Sequence, residues 1–92
     1  MSSFQKKVHK AVKEISLGKV SSYKEIAGKS GHPNAWRAVG NILNKNKDHK
    51  VPCHRVIRSN GQVGGYAKGK KKKILLLKRE GVKTKKGKVL VK

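Results

Sequence analysis

Apolar residues recur at helical spacing in the first part of the chain. Five of them fall on one face of a helix: Phe4, Val8, Ala11, Val12 and Ile15. A serine at position 2 or 3 can cap the start of this helix, because its side-chain oxygen accepts a free backbone N–H. The pattern therefore predicts a first helix that runs to about Leu17 and stops at Gly18.

Two shorter helices follow, joined by a turn. Ser22 lies three residues before Glu25, which is the pattern of a capping box and predicts a helix to about Lys29. The cluster Gly31-His32-Pro33-Asn34 breaks the chain. A third helix is expected from about Asn34 to Asn44, and its predicted buried residues are Ala38, Val39, Ile42 and Leu43. This arrangement fits a DNA-binding helix-turn-helix or a plain helical hairpin equally well.

The second half of the chain alternates between turn signals and apolar positions. After a polar loop, residues 55–58 and 62–64 flank Ser59-Asn60-Gly61, which predicts a β-hairpin. A last helix is expected from about Lys68 to Glu80, with Gly81 as its stop and with three side chains turned inward: Ile74, Leu75 and Leu77. We expect one domain over residues 1–92, mainly α with a small β-hairpin, in which 83–92 form a mobile basic tail unless Val89, Leu90 and Val91 dock.

Length and composition limit the class of protein. Ninety-two residues with 35% hydrophobic content suit one small domain with a modest core. No stretch approaches the roughly 20 apolar residues of a membrane span, and the first residues do not resemble a secretory signal. One cysteine cannot form an internal disulfide, and a free thiol suits a reducing compartment. We therefore expect an intracellular protein of the cytoplasm or nucleoid, or of the nucleus in a eukaryote.

Charge indicates the kind of partner. Lysine and arginine number 25 against four acidic residues, which gives a formal net charge of +21. Such a field attracts polyanions, and nucleic acid is the usual one. Membrane surfaces and acidic proteins are polyanions as well, so charge by itself does not decide between them.

The lone cysteine, Cys53, has unusual neighbours. Most single cysteines are small buried hydrophobic residues. Here Pro52 precedes the thiol, and His54 and Arg55 follow it, so positive charge is available to stabilise the reactive thiolate. A cysteine hydrolase is possible, although adjacent residues point different ways and His54 would have to reach the thiol through a turn or a water molecule. We expect no metal, because the four histidines lack ligand spacing and one cysteine falls short of a zinc set.

The run Pro52-Cys53-His54-Arg55-Val56 matches the active-site signature of the O6-alkylguanine-DNA alkyltransferases. The resemblance continues in the family's order over residues 4–82. It includes Ser22-Tyr23, Arg37-Ala38-Val39-Gly40-Asn41, Asn46, Ser59-Asn60-Gly61, Gly64, Tyr66, Leu76-Leu77 and Glu80-Gly81. It implies a winged-helix-like helix-turn-helix domain, the DNA-binding and catalytic domain of that family.

The resemblance implies direct reversal of DNA damage. An alkyl group would pass irreversibly from O6-alkylguanine to Cys53, once per molecule and without a cofactor. His54 would act as base through a bridging water, Glu80 would orient its imidazole, and Asn46 would brace the preceding turn. The substrate base would lie against Tyr66, supported by Lys73, with two further residues in the pocket: Val56 and Ala67.

The resemblance also implies how DNA is held. A monomer would bind double-stranded DNA through the minor groove and flip the damaged nucleotide into the pocket. Arg37 would enter the base stack as an arginine finger, and Tyr23 would push the 3′ phosphate. Ser22 is also assigned to DNA contact, and three small residues would allow close approach to the groove: Ala35, Ala38 and Gly40. No membrane partner is expected.

Three departures from the family pattern stand out. The family's usual N-terminal domain is not in this sequence, so a single-domain form is expected. Trp36 is bulky where the family has a small residue beside the finger, and it could stack or pack inward. Ala67 and Lys68 replace a more typical pair at the pocket wall, which leaves the preferred alkyl group open.

Two other functions compete with alkyl transfer. Alkyltransferase-like proteins are short relatives that bind the same lesion without repairing it, and they generally carry tryptophan in place of the nucleophile. This chain keeps cysteine together with the histidine and glutamate that would serve it. A lysine-rich architectural DNA-binding protein with an incidental thiol is the third reading.

Overall fold

A computed structural model describes residues 3–90 of the chain. Within this range the elements are α1 (Ser3–Lys13), β1 (Ser21–Ser22), α2 (Tyr23–Lys29), α3 (Trp36–Asn44), a 3-10 turn (Cys53–Arg55), β2 (Val56–Ile57), α4 (Lys70–Arg79), β3 (Thr84–Lys85) and β4 (Lys88–Val89). The mainly helical prediction is confirmed.

The first helix is shorter than predicted and ends at Lys13. Ile15 is still buried, but its carbonyl has left the helix and accepts a hydrogen bond from Nη1 of Arg55 at 2.8 Å. A long-range contact thus replaces the last helical turn. Gly18, with a φ of +84°, continues the turn rather than ending the helix. The serine at position 2 lies outside the described residues.

Helices α2 and α3 form a helix-turn-helix packed against α1. The predicted capping box is present: the Ser22 hydroxyl accepts from Glu25 N at 3.0 Å, and Ser22 N donates to the Glu25 carboxylate at 3.1 Å. Helix α3 begins at Trp36, two residues later than predicted. It buries Val39 and Leu43, whereas Ala38 is exposed, so the predicted burial of Ala38 is wrong.

The predicted hairpin at residues 55–64 forms only its turn. Gly61 N donates to Arg58 O at 2.9 Å, and Arg58 N donates to Gln62 O at 2.8 Å. Strand β2 pairs instead with β1, in parallel, and Gln62 forms an antiparallel bridge to Lys88. Both arms therefore take long-range partners that local turn chemistry does not specify.

The expected mobile tail is largely a docked hairpin. Strands β3 and β4 pair antiparallel, and the backbone of Val89 donates to Gly61 O at 2.8 Å. Val89 is buried, because it joins the smaller of two hydrophobic clusters, with Ile57, Val63, Leu77 and Val82. The next residue, Leu90, is exposed, and position 91 lies outside the described residues.

Helix α4 turns a different face inward than its apolar pattern indicated. Leu77 is fully buried and Ile74 is half-buried, but Leu75 is 47% exposed, so its predicted burial is wrong. Lys73 is fully buried in its place, because its ammonium finds hydrogen-bond acceptors inside the domain. Among residues 3–90, none of the helices has the length and apolar character that a membrane crossing requires.

Candidate functional site

Cys53 opens the 3-10 turn that leads into β2. Its backbone N–H donates to Val51 O at 2.8 Å, and Arg55 N donates to Pro52 O at 3.0 Å, so the turn is tightly held on both sides of the thiol. The residue is only 9% exposed and joins the larger hydrophobic cluster, which contains the buried faces of α1, α2 and α3. The backbone thus fixes the thiol against the helical core.

A cavity of about 240 Å³ opens in front of this thiol. We call it the thiol cavity. Its walls bring together five residues that the sequence had singled out, and they are Asn46, Cys53, His54, Tyr66 and Ala67. Its rim is polar and includes Asp48, His49 and three lysines, namely Lys47, Lys68 and Lys72.

The thiol has a direct hydrogen-bond donor. Nδ2 of Asn46 lies 3.2 Å from Sγ of Cys53 and also donates to Asp48 O at 3.0 Å. Burial raises the pKa of Cys53, while the Asn46 hydrogen bond, a backbone hydrogen bond and the positive charge of Lys73 act to lower it. Asp48 works in the same direction as burial. The thiol therefore rests protonated, and a base must remove its proton before it reacts.

Glu80 joins the two residues that follow the thiol. Its Oε2 lies 2.7 Å from Nε2 of His54, and Arg55 binds both carboxylate oxygens through Nε at 2.9 Å and Nη2 at 3.0 Å. All three side chains are 13–15% exposed. The Arg55 hydrogen bonds and the His54 contact lower the pKa of Glu80 against the opposing effect of burial. The carboxylate is thus held ionised and fixes the imidazole beside the cavity.

Lys73 lies behind the cavity wall rather than in it. Its Nζ donates to Val56 O at 2.6 Å, to Gly65 O at 3.1 Å and to the Tyr23 hydroxyl at 3.4 Å. Burial lowers the pKa of Lys73 to about 8. Within residues 3–90 no hydrogen bond joins Lys73 to Tyr66, and the support that the resemblance implies for Lys73 stays a prediction. A buried ammonium needs several acceptors, and this lysine finds them on the Tyr23 side.

A second opening, of about 480 Å³, lies beside α2 and α3. We call it the basic groove. Tyr23 and Arg37, to which the resemblance assigns DNA contacts, line it together with Gly40. Arg37 stacks on Trp36, with its guanidinium carbon 5.1 Å from the ring centroid. The remaining lining residues are Lys24, Arg58, Ser59, Asn60 and Gly65.

Gly64 allows the groove and the cavity to lie close together. Its φ is +73°, and a Cβ at this position would lie 3.4 Å from Cε2 and from the hydroxyl of Tyr23. The left-handed backbone turns the chain so that Gly65 lines the basic groove while Tyr66 lines the thiol cavity. One peptide bond thus separates the two surfaces.

The model of the family "6-O-methylguanine DNA methyltransferase, DNA binding domain" matches residues 3–82. The chain belongs to this family. A methylated-DNA–protein-cysteine methyltransferase of Methanosarcina acetivorans is 52% identical over 79 residues, which are 85% of this chain and 51% of the relative. One from Saccharolobus islandicus is 49% identical over 81 residues, 87% of this chain and 52% of the relative. The chain spans about half the length of these relatives.

Solved structures of the methyltransferase family share the helix-turn-helix type fold. Schizosaccharomyces pombe Atl1, in complex with damaged DNA containing O6-carboxymethylguanine, has a TM-score of 0.84 and 37% identity, covering 100% of this chain and 91% of that one. Mycobacterium tuberculosis OGT in complex with DNA has a TM-score of 0.82 and 43% identity, covering 87% and 50%. The helix-turn-helix interpretation is thereby confirmed over the plain hairpin.

The small residues assigned to DNA contact divide into two groups. Gly40 lines the basic groove, and Ala38 is exposed on the same helix. Ser22 is buried and uses its hydroxyl to cap α2, and Ala35 is half-buried at the N-terminal end of α3. The DNA contacts implied for these four residues stay predictions.

Sequence reasoning missed the part played by Arg55 and Arg58. Arg55 was noted only as one of several positive groups near the thiol, yet it holds Glu80 with two hydrogen bonds. The chain has only four acidic residues, and the resemblance had already put Glu80 near the signature. An ion pair between Arg55 and Glu80 could therefore have been predicted. Arg58 precedes the Ser-Asn-Gly turn, and only the tertiary structure carries that turn to the groove.

Proposed function

We propose that this chain takes an alkyl group from O6-alkylguanine in double-stranded DNA onto Cys53, once per molecule. The observation that carries the proposal is the thiol cavity itself. A buried thiol that accepts a hydrogen bond from Asn46 faces a space bounded by His54, whose imidazole is anchored by an ionised glutamate. This is the arrangement of nucleophile, base and orienting acid.

The reaction balances with these groups. The Cys53 proton passes to His54 through a bridging water molecule. Glu80 stabilises the imidazolium that results. The thiolate sulfur attacks the alkyl carbon, the carbon–O6 bond breaks, and its electron pair stays with guanine. The guanine anion then takes up a proton and the imidazolium gives up the one it took from Cys53, so the net change is the exchange of the alkyl group for a proton. Burial raises the pKa of Tyr66, so its hydroxyl stays protonated and can donate a hydrogen bond to the departing base.

The basic groove supplies the means of holding DNA. Arg37 and Tyr23 lie at its walls, and the net charge of +21 favours contact with phosphates. The target atom of guanine is inside the duplex, so the nucleotide must leave the stack to reach Cys53. Gly64 and Gly65 place the groove next to the cavity, which gives the flipped nucleotide a short path between them.

A second candidate is lesion binding without transfer. It is favoured by the likeness over the whole chain to Atl1, which was crystallised on DNA containing O6-carboxymethylguanine. It would use the same groove and cavity, with Cys53 as a wall residue. The two candidates differ in whether a covalent bond forms.

Intact-mass measurement separates these candidates. The protein is incubated with a duplex carrying O6-methylguanine, and the expected result is a gain of one methylene in mass, located on the Cys53 peptide, with guanine restored in the DNA. Cys53→Ala is the matched control and should bind without gaining mass. Tight lesion binding without a mass gain in the wild type would favour the binding function. Equal affinity for damaged and plain duplexes, again without a mass gain, would leave the lysine-rich architectural function.

A further inference from the structure

Trp36 is the one tryptophan of the chain and the first residue of α3. It is 40% exposed and belongs to neither hydrophobic cluster of the described residues. Single exposed apolar residues are common on protein surfaces, so the position of Trp36 matters more than its exposure. Its indole lines the basic groove together with Tyr23 and Arg37.

The contact between Trp36 and Arg37 restricts the arginine before any DNA arrives. The guanidinium carbon lies 5.1 Å from the centroid of the indole, within the range of a cation–π interaction. A free arginine side chain loses rotamer entropy when it enters a ligand, and a stacked one has lost part of it already. Trp36 therefore prepares Arg37 at the mouth of the groove.

We propose that Trp36 and Arg37 act as one wedge, in which the indole enters the minor groove with the guanidinium and stacks on the exposed face of a base. The inference rests on the proposed DNA binding. Every base offers a π face, so such stacking is tolerant of sequence. Apolar side chains inserted between base steps are a known way of opening the duplex toward the minor groove. Lys24 and Arg58, also in the groove, are then left for phosphates.

The residues around Trp36 leave room for its indole and the Arg37 guanidinium to enter the minor groove. Trp36 is held from one side by Arg37, and the groove in front of both has a volume of about 480 Å³. Ala38, two residues further along α3, is exposed and small, so it does not keep the helix from approaching DNA. Gly40, which lines the groove, has no side chain that could obstruct DNA.

The single tryptophan makes the wedge directly observable. Stacking on a nucleobase quenches indole emission, so selectively excited fluorescence should fall as a plain or lesion-bearing duplex is added. Binding is followed in the same samples by the anisotropy of a labelled duplex. A rise in anisotropy with unchanged tryptophan emission would overturn the wedge while leaving DNA binding intact. No rise in anisotropy would instead contradict the proposed function.

Substitution measures what the indole contributes. Trp36→Ala should weaken binding by about tenfold to a hundredfold, the size of one base–aromatic stack, and Trp36→Phe should lose less. The slope of affinity against salt should stay the same in both variants, since no charge is removed. Leu75→Ala is the matched control, because Leu75 is exposed to a similar degree on α4 and lines neither opening.

A double-mutant cycle tests whether the two residues act together. If Trp36 and Arg37 form one wedge, Trp36→Ala combined with Arg37→Ala should lose less affinity than the product of the two single losses. Independent losses, with the melting temperatures of all variants unchanged, would show that the indole does not act through the arginine. An unchanged affinity for both Trp36→Ala and Trp36→Phe would overturn the proposal altogether.

Discussion

The thiol cavity and the basic groove share the segment around Gly64, yet they are held in different ways. Around the cavity, Glu80 receives one contact from His54 and two from Arg55, and Asn46 donates to the sulfur itself. In the groove, Arg37 is restrained by a stacking contact and lies on an exposed helix face. The residues proposed for the chemical step are thus held at fixed distances, whereas the surface proposed for DNA keeps side chains that can move.

Lys73 connects the two regions. Its ammonium donates to the carbonyl of Val56, next to the signature turn. It also donates to the carbonyl of Gly65 and to the hydroxyl of Tyr23, at the edge of the groove. One buried charge thus ties the backbone of the cavity to the wall of the groove.

Loss of the Glu80 charge should have the largest effect. Glu80→Gln leaves Arg55 without its anionic partner and His54 without its orienting carboxylate. We expect the free energy of unfolding to fall by about 3 kcal/mol, because a partly buried charge loses its counter-ion. Transfer of the methyl group should slow by roughly 100-fold, the size of a general-base contribution. Chemical denaturation and single-turnover transfer measure the two effects.

Glu14→Gln is the matched control for Glu80→Gln. Glu14 is an exposed acid, and its substitution should change the free energy of unfolding by less than about 0.5 kcal/mol. Equal transfer rates for Glu80→Gln and the wild type would show that the fixed network around the cavity is not needed for the reaction.

A methyl group at position 64, between the thiol cavity and the basic groove, should destabilise the fold. Gly64→Ala forces a left-handed φ on an alanine and places its Cβ 3.4 Å from the Tyr23 ring, so we expect a loss of about 2 kcal/mol in unfolding free energy. Gly65→Ala is the control, because a Cβ there meets nothing within 4 Å. Thermal and urea unfolding compare the pair. Equal losses in both variants would mean that the backbone conformation at Gly64 is not required.

The buried charge of Lys73 should make stability depend on pH. The folded protein holds this proton less tightly than the unfolded chain, because burial lowers the pKa of Lys73 to about 8. Unfolding free energy should therefore rise with pH, by about 1.4 kcal/mol between about pH 7 and pH 9. At higher pH the raised pKa values of Cys53, Tyr23 and Tyr66 act in the opposite direction.

The rise is measured by urea unfolding at several pH values. In Lys73→Met it should disappear, while Lys72→Met, at an exposed neighbour, should keep it. If the unfolding free energy of the wild type did not change with pH, the pKa of Lys73 would be the same in the folded and unfolded chain. The buried charge would then not link the two regions.

Removal of the hydrogen bond to the thiol should have the smallest effect. Asn46→Ala takes away a contact that lowers the pKa of Cys53, so the thiolate becomes rarer at neutral pH. Alkylation by iodoacetamide should slow by about fivefold, which corresponds to about 1 kcal/mol for one hydrogen bond. The pH profile of alkylation, followed by intact mass, checks this. Asn44→Ala, an exposed change at the end of α3, should leave the profile in place.

Local patterns predicted the parts of the fold that local interactions form. The capping box at Ser22 and the apolar face of α1 were correct, because each needs only residues a few positions apart. The turn at residues 59–61 was correct for the same reason. The partner of β2 was missed, and the docking of β4 was only left open, since strand pairing between distant segments leaves no local trace.

The candidate site divides in the same way. Cys53, His54 and Glu80 were identified from a signature and a resemblance, and the structure brings them to one cavity or its edge. The burial of Lys73 was not predicted, because an apolar count over α4 assigns a lysine to solvent. Burial of its ammonium depends on three acceptors from other elements.

Residue types alone predicted the candidate chemistry: one thiol, a histidine and a glutamate proposed to serve it, and a positive charge that suits DNA. Tertiary structure decided what those groups contact. In the folded domain Glu80 binds Arg55 as well as His54, Lys73 is buried, and Trp36 contacts Arg37. The physical reason is that residue type sets what a side chain can donate or accept, whereas burial and distance are fixed only when distant segments close around it.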